Sequence, residues 1–133
     1  MIKVPKILKC LFFNQVWNIP NTDNTVYLTF DDGPTPEITE KILEILEKHQ
    51  IKATFFCIGD NVRKYPEIVQ KIISKHHSVG NHTYSHLKGW KTNTKTYLSN
   101  TEACEIKLNS LFKIYNSKLF RPPYGKITPW QSY

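Results

Sequence analysis

The sequence lacks a long apolar run, and this predicts that the chain has no transmembrane segment. Three lysines among the first nine residues precede a short apolar stretch, but Lys9 interrupts that stretch and no small-residue cleavage site follows it. We therefore expect residues 1–25 to be an N-terminal strand or clasp followed by a polar linker, with Trp17 as its anchor on the domain. An uncleaved membrane anchor is the alternative.

Cysteines are few and poorly spaced for chemistry. Cys10, Cys57 and Cys104 lie far apart, and no pair has the spacing of a zinc knuckle or a redox motif. Cys57 falls in an apolar strand pattern and Cys104 on the apolar face of a helix, so we expect both to be small buried side chains. The cysteines do not require an oxidising compartment, and the sequence leaves the cytoplasm and the cell envelope open.

The sequence also lacks a run of one charge. Its net charge is +7 and its pI about 9.3, but the basic residues are scattered over polar helix faces and form no basic arm. We expect a lysine-rich solvated surface and no nucleic-acid partner. An alternative use of the charge is approach to an anionic polymer of the cell envelope.

Strand and helix patterns alternate along the chain. The 133 residues fit at most one domain, which we place at 26–133. Such alternation predicts right-handed βαβ units and a parallel sheet. The predicted strands are Val26–Phe30, Ala53–Ile58, Ser78–Asn81 and Lys118–Phe120, and the predicted helices are 35–50, 66–77 and 94–115.

Periodicity predicts which face of each helix is buried. In the first predicted helix, Thr35 is the expected N-cap and Pro36 the first helical position. Its expected inward face carries Ile38, Ile42, Ile45, Leu46 and His49, and that of the second helix carries Ile68, Val69, Ile72 and Ile73.

Two adjacent carboxylates, Asp31 and Asp32, end the first predicted strand. Neighbouring strand residues point to opposite faces, but the turn that Gly33-Pro34 enforces allows both aspartates to face one pocket. Two like charges so close are costly unless a cation compensates them. The pair therefore directs the search to metal ligands elsewhere in the chain.

Two histidines follow the third predicted strand. His82 and His86 are four residues apart, so a helical turn would project both rings from one face. Together with one carboxylate of the aspartate pair they suit a divalent transition metal, most often Zn²⁺, and leave coordination positions open. We expect the remaining histidines to be ordinary surface residues; they are His49, His76 and His77.

A stiff loop follows the fourth predicted strand. Pro122 and Pro123 restrict the backbone and so can hold Arg121 in place with little motion. A guanidinium there would be a good orienting partner for Asp31. The backbone N–H of Tyr124 can point at an oxyanion. The aromatic residues that can stack on sugar rings are Tyr84, Trp90, Tyr124 and Trp130.

These three motifs resemble those of a known family. Thr29–Gly33 (TFDDG), His82–His86 (HTYSH) and Arg121–Gly125 (RPPYG) have the order and approximate spacing found in polysaccharide deacetylases with a NodB-homology domain, which form carbohydrate esterase family 4. The resemblance extends from about Val26 to Gly125. It implies an α/β fold: the parallel-stranded, N-terminal part of a distorted (β/α) barrel.

The resemblance also implies an activity and assigns roles. The activity is metal-dependent removal of N-acetyl groups from N-acetylated glycans of the chitin-oligosaccharide or peptidoglycan type. Asp31 would be the catalytic base and Arg121 its partner, and the Tyr124 N–H would bind the oxyanion. The implied metal, Zn²⁺ or another transition ion such as Co²⁺, would be bound by Asp32, His82 and His86.

The sequence departs from the family pattern downstream. The family's acid histidine and its tryptophan-bearing motif have no match, so we expect an incomplete domain and little activity from the isolated chain. The alternative function is an inactive remnant or a metal-dependent sugar-binding module.

Other reaction classes fit the sequence less well. Adjacent carboxylates hardly reach the separation of about 5–9 Å that glycosidases use. A non-haem iron oxygenase shares the ligand set but usually has an antiparallel fold, and a Ser85 nucleophile lacks the glycine-flanked elbow.

Overall fold

The fold is built around a parallel sheet, as the sequence predicts. The computed structural model describes residues 5–13, 15–20, 24–111 and 118–132. Three strands pair in the order β1–β2–β3: β1 (Thr29–Gly33), β2 (Thr54–Cys57) and β3 (Ser78–Asn81). The main helices are α2 (Ile38–Lys48) between β1 and β2, α3 (Gly59–Lys64) and α4 (Pro66–Ser74) between β2 and β3, and α5 (Thr94–Leu111) after β3.

Shorter elements complete the described chain. They are α1 (Lys6–Leu11) and three 3₁₀ turns at Gly89–Lys91, Pro123–Gly125 and Pro129–Gln131. The fourth predicted strand is reduced to one parallel bridge between Asn81 and Phe120. The Asn81 N–H donates to Leu119 at 2.8 Å, and the Arg121 N–H donates to Asn81 at 3.0 Å. This bridge holds the backbone of Arg121 against the end of β3.

A core of apolar side chains lies between the sheet and its helices. Its buried members are Leu43, Leu46, Ala53, Phe55, Cys57, Val62, Val69, Ile72, Val79, Cys104 and Leu108. Both predicted buried cysteines are among them, and burial raises the pKa of Cys57 and brings that of Cys104 to about 12. Gly80 makes close packing possible, since a Cβ there would lie 2.5 Å from the Phe56 ring.

The predicted position of β1 is wrong by three residues. The strand begins at Thr29 and includes both aspartates. Val26 and Leu28, which lie within the predicted strand, are 85% and 38% exposed. The apolar alternation before the aspartates misled the prediction, because the pairing with β2 continues past Phe30.

The predicted start of α2 is wrong, and its predicted face is right only at Leu46, which is buried, and at Ile42, which packs against the core. The helix begins at Ile38, so Thr35 is not its N-cap, and Ile38 and Ile45 are each 60% exposed. The buried stripe is Thr39, Leu43 and Leu46. Both stripes have helical spacing, and Thr39 tolerates burial because its hydroxyl accepts the Thr35 N–H at 2.8 Å.

The other predicted helices differ at their ends. α4 ends at Ser74, with Ile68, Val69 and Ile72 buried as predicted. The helix α3 occupies residues to which no element was assigned, between the predicted strand Ala53–Ile58 and the predicted helix 66–77. The predicted end of the long helix at residue 115 lies outside the described residues.

The N-terminal segment contains a helix within residues 1–25, which were predicted to form a strand or clasp followed by a polar linker. α1 spans Lys6–Leu11, a stretch made largely of good helix formers. Trp17 is 39% exposed, so it is not a buried anchor. The Gln15 amide donates to the Ser132 hydroxyl at 2.7 Å and so links this segment to the end of the described chain. None of the described helices combines the length and apolar character that crossing a bilayer requires.

Candidate metal centre and active site

The two aspartates reach the same edge of the sheet through a bulge in β1. Phe30 pairs with Phe55 and Gly33 with Cys57, so β1 advances three residues while β2 advances two. Asp32 has a φ of 69°. A bulge with such a residue re-aims the neighbouring side chains. The bulge within β1 therefore brings the two aspartates to one edge, whereas the sequence predicted that the turn at Gly33-Pro34 does so.

Asp32, His82 and His86 converge at this edge. Asp32 Oδ1 lies 3.0 Å from His86 Nε2 and 3.4 Å from His82 Nε2. One candidate ligand atom from each of the three residues lies within 4.8 Å of the others. Asp32 is exposed whereas His82 is buried, so the group opens to solvent on the carboxylate side.

The backbone fixes the orientation of the His82 ring. Its Nδ1 lies 2.7 Å from the carbonyl oxygen of Arg121. A proton on Nδ1 that is donated to this carbonyl leaves the Nε2 lone pair facing Asp32 and His86. Burial lowers the pKa of His82, which favours the neutral ring that a metal requires.

The histidine loop is not the helical turn that the spacing predicted. Thr83 and His86 have φ angles of 63° and 54°, and the loop is held from outside. Asn100 on α5 supplies this support: its Oδ1 accepts the N–H groups of Tyr84 and Ser85, both at 2.9 Å. The two rings meet because the loop is clamped to α5, with ring centres 5.1 Å apart.

Asp31 has a different set of neighbours. Its Oδ1 accepts from Arg121 at 2.8 Å, and the same guanidinium nitrogen lies 2.8 Å from Thr29 Oγ1. The guanidinium carbon lies 4.1 Å from the centre of the Phe56 ring. Arg121 is thus fixed by a carboxylate, a hydroxyl and an aromatic face, and it in turn restrains Asp31.

Several supporting residues were not found by sequence reasoning. The Asn61 amide donates to the backbone carbonyl of Asp32 at 2.9 Å, and Asn81 Oδ1 accepts the Thr83 N–H at 2.8 Å. Asn100 likewise supports the histidine loop, and Thr29 likewise supports Arg121. Their sequence signal is weak, because lone asparagines and threonines occur in many loops for local reasons.

The aromatic residues that were predicted to stack on sugar rings differ in their exposure and in their position relative to the site. The Tyr124 ring centre lies 4.8 Å from that of His86, and Tyr124 is 62% exposed. Tyr124 has a φ of 59°, and the direction of its N–H towards an oxyanion stays a prediction. Trp90 is exposed on the 3₁₀ turn after the histidine loop. Tyr84 instead packs partly buried against the core.

The donor set fits a divalent cation. Two imidazole nitrogens and one carboxylate oxygen converge, and one ring has its second nitrogen held by a backbone acceptor. Three protein ligands with open positions are the usual arrangement of catalytic zinc sites. The described residues therefore provide one group that can hold a metal ion.

Comparison with known proteins identifies the family. The model of the polysaccharide deacetylase family matches residues 18–130. The chain belongs to the polysaccharide deacetylase family. The match contains all three segments that converge at the site.

Individual relatives agree with this assignment. A peptidoglycan-N-acetylglucosamine deacetylase of Bacillus cereus is 47% identical over 108 residues, which are 81% of this chain and 39% of that protein. A chitooligosaccharide deacetylase of Rhizobium leguminosarum bv. trifolii is 45% identical over 64 residues, or 48% of this chain and 30% of that protein. The chain thus spans less than half the length of these two polysaccharide deacetylases.

A solved structure supports the fold. The crystal structure of the Bc1960 peptidoglycan N-acetylglucosamine deacetylase, in complex with 4-naphthalen-1-yl-N-oxidanyl-benzamide, superposes with a TM-score of 0.81 at 45% identity. The superposition covers 85% of this chain and 52% of that one. The parallel sheet is therefore the N-terminal part of the distorted barrel of polysaccharide deacetylases.

Proposed function

We propose that this chain carries the metal-binding and base-bearing part of an N-deacetylase that acts on N-acetylated glycans. The observation that supports this most strongly is the group Asp32, His82 and His86 beside the Asp31–Arg121 pair. The two aspartates are adjacent but have separate partners, as a division between ligand and base requires. Family membership supplies the reaction class.

The proposed metal is Zn²⁺, held by Asp32, His82 and His86. When bound, such a cation lowers the pKa of a coordinated water and polarises a carbonyl oxygen. The contact between His82 and the Arg121 carbonyl would strengthen His82 as a ligand and fix its ring.

The residues of the chain would then act on the acetamide. Asp31 accepts the proton of the attacking water at its carboxylate, which Arg121 holds by a 2.8 Å hydrogen bond. The Tyr124 N–H stabilises the oxygen anion of the tetrahedral intermediate. Exposure of the carboxylate side of the group leaves room for a glycan to approach.

The amine that departs must receive a proton. His77, which precedes β3 and contacts the residue before β2, lies at the opposite edge of the sheet from the site. His49 precedes β2 and His76 precedes β3, so we assign no acid among the described histidines. Without an assigned proton donor for the departing amine, this chain by itself is expected to have little activity.

Acetate release is the direct test of this function. The metal-loaded protein is incubated with N-acetylated chitooligosaccharides and with peptidoglycan fragments, with and without a chelator. Because no proton donor for the amine is assigned, we expect slow release from at least one glycan, loss of it on chelation, and recovery when Zn²⁺ is restored. The His82→Ala/His86→Ala variant should release none.

Two results would reject the proposal. One is acetate release that persists in the chelated double variant. The other is the absence of release from every glycan tested with metal-loaded protein. Glycan binding without release would favour the sugar-binding alternative.

A further inference from the structure

Two segments beside the site have an unusual charge pattern. Residues 86–100 and 118–132 contain six basic residues and no aspartate or glutamate. The whole chain has 11 acidic residues, so two neighbouring segments of 15 residues without one concentrate positive charge here. Charge concentrated beside a site attracts ligands of opposite sign.

The two segments are joined by hydrogen bonds. The Gly89 N–H donates to the Lys126 carbonyl at 3.1 Å, and the Trp90 indole N–H donates to the Ile127 carbonyl at 3.1 Å. The buried Gln131 amide donates to the Gly89 carbonyl at 3.2 Å. A Cβ at Gly89 would lie 2.4 Å from the Lys126 carbonyl oxygen, so glycine permits this close approach.

This connection places two lysines over two exposed rings. Lys88 Nζ lies 5.5 Å from the Tyr124 ring centre, and Lys126 Nζ lies 5.0 Å from the Trp90 ring centre. Tyr124 and Trp90 are 62% and 64% exposed. We call Lys88, Trp90, Tyr124 and Lys126 the lysine–aromatic strip.

The strip is continuous with the candidate metal centre. The Tyr124 ring lies 4.8 Å from His86, whose Nε2 lies 3.0 Å from Asp32 Oδ1. Neither Lys88 nor Lys126 forms an ion pair within the part of the chain that the structure describes. Both ammonium groups can therefore pair with an acidic group on a ligand that also contacts the rings.

We propose that Lys88 and Lys126 determine specificity by binding a carboxylate on the substituent of a sugar adjacent to the one being deacetylated. This inference rests on the proposed function. The rings offer apolar faces to pyranose rings of any N-acetylated glycan, whereas the ammonium groups distinguish an acidic glycan from a neutral one. The preferred ligand is thus a glycan in which alternate sugars carry a carboxylate.

A binding experiment tests the role of the strip without requiring hydrolysis. The probes are a tetrasaccharide of alternating N-acetylglucosamine and N-acetylmuramic acid with free lactyl carboxylates, and the same tetrasaccharide with those groups converted to carboxamides. Calorimetry should show the acidic form binding about fivefold more tightly, a difference of about 1 kcal/mol that lies within what two exposed charge pairs contribute. High salt should reduce this preference.

Matched variants assign the preference to the strip. Lys88→Gln/Lys126→Gln should bind both probes alike and bind the carboxamide form within about twofold of wild type. Lys41→Gln/Lys48→Gln removes the same charge from exposed positions on α2 and should keep the preference. A preference that survives in the strip variant, or equal binding of both probes by wild type, would overturn the proposal.

The binding and hydrolysis experiments distinguish a failure of this inference from a failure of the proposed function. Acetate release without a carboxylate preference rejects the role of the strip and leaves the proposed function standing. A preference that depends on the strip, without acetate release from any glycan, rejects the deacetylase activity and leaves the carboxylate-binding site. Absence of binding to both probes rejects the role of the strip.

Discussion

Asp31 and Asp32 show how two identical neighbouring side chains acquire different surroundings. The bulge in β1 directs Asp32 towards two imidazoles and Asp31 towards a guanidinium. The side chain of Arg121 holds Asp31, and its backbone carbonyl holds His82. Arg121 therefore links the candidate base to a candidate ligand.

Arg121→Lys should lower kcat for acetate release by about 10- to 100-fold, because a misplaced catalytic group costs about this much. A lysine is a point charge and cannot hold Asp31 and Thr29 while lying flat on Phe56. We expect KM and metal affinity to change little, and steady-state kinetics with a metal titration measure all three.

Arg63→Lys is the control for Arg121→Lys. Arg63 pairs with Asp60 on the exposed surface of α3, and neither residue is a candidate ligand. Its replacement should leave kcat unchanged. Wild-type kcat in Arg121→Lys would show that Arg121 does not position Asp31.

Single residues differ in how well the sequence predicts them. Asp31, Asp32, His82 and His86 could be singled out because their residue types and spacing match a chemical requirement. His77 could not: it was predicted at the surface, but it is buried beside Phe55. Its contacts come from β2, which the local sequence does not reveal.

At the scale of elements, the position of the histidine loop depends on α5. Asn100 accepts two backbone N–H groups of the loop and donates to the Ser85 hydroxyl at 3.2 Å. The loop has positive φ at Thr83 and His86, so its own backbone preferences do not favour its shape. The hydrogen bonds to Asn100 on α5 therefore stabilise a loop conformation that the loop's own backbone does not favour.

Asn100→Ala should weaken Zn²⁺ affinity by about 10- to 100-fold, the usual effect of removing a group that supports metal ligands. The loop would lose three hydrogen bonds, and His86 would no longer be held opposite Asp32. Competition with a chromophoric chelator measures the affinity.

Asn93→Ala is the matched control, because Asn93 is the same residue type and immediately precedes the same helix. Asn93 Oδ1 accepts the Thr96 N–H at 2.9 Å at the start of α5. Its loss should destabilise the protein by about 1 kcal/mol, as for other helix caps, with Zn²⁺ affinity unchanged. Equal affinity losses in the two variants would show that Asn100 acts only through the stability of α5.

Elements with one clear apolar pattern were predicted well. β3 matches its prediction, and β2 is a continuous apolar run shortened by one residue at each end. α2 was misassigned because it has two overlapping stripes and periodicity cannot choose between them. The bulge in β1 has no periodic signal, so its register could not be read from the sequence.

At the scale of the whole molecule, the parallel sheet separates two groups of histidines. His82 follows β3 at the carboxyl edge, whereas His77 precedes it at the amino edge. The His77 Nδ1 accepts the Ala53 N–H at 3.2 Å, which requires a neutral ring. Burial, with further contributions from Lys52 and Lys75, lowers the pKa of His77.

This lowered pKa predicts a loss of stability in mild acid. The unfolded chain binds a proton at His77 more readily than the folded chain. The contribution of neutral His77 to the free energy of unfolding is therefore fully present above the ordinary pKa of 6.5. It is lost as the pH falls from there through the lower folded value. Denaturant unfolding of metal-free protein between pH 7.5 and about 5 measures this slope.

His77→Gln should flatten the slope, because glutamine does not titrate. The pKa of His82 is also lowered by burial, so part of the slope should remain in the variant. His49→Gln, at the exposed end of α2, is the control and should retain the full slope. An unchanged slope in His77→Gln would contradict the assignment.

The most direct test of the account is the Zn²⁺ stoichiometry of two variants with the same change at adjacent positions. We predict about one Zn²⁺ per chain for wild type and for Asp31→Asn, because Asp31 is assigned as base and not as ligand. Asp32→Asn should bind Zn²⁺ at least about tenfold more weakly. Equal Zn²⁺ binding by the two variants, or full occupancy in His82→Ala/His86→Ala, would contradict the assignment of the metal centre.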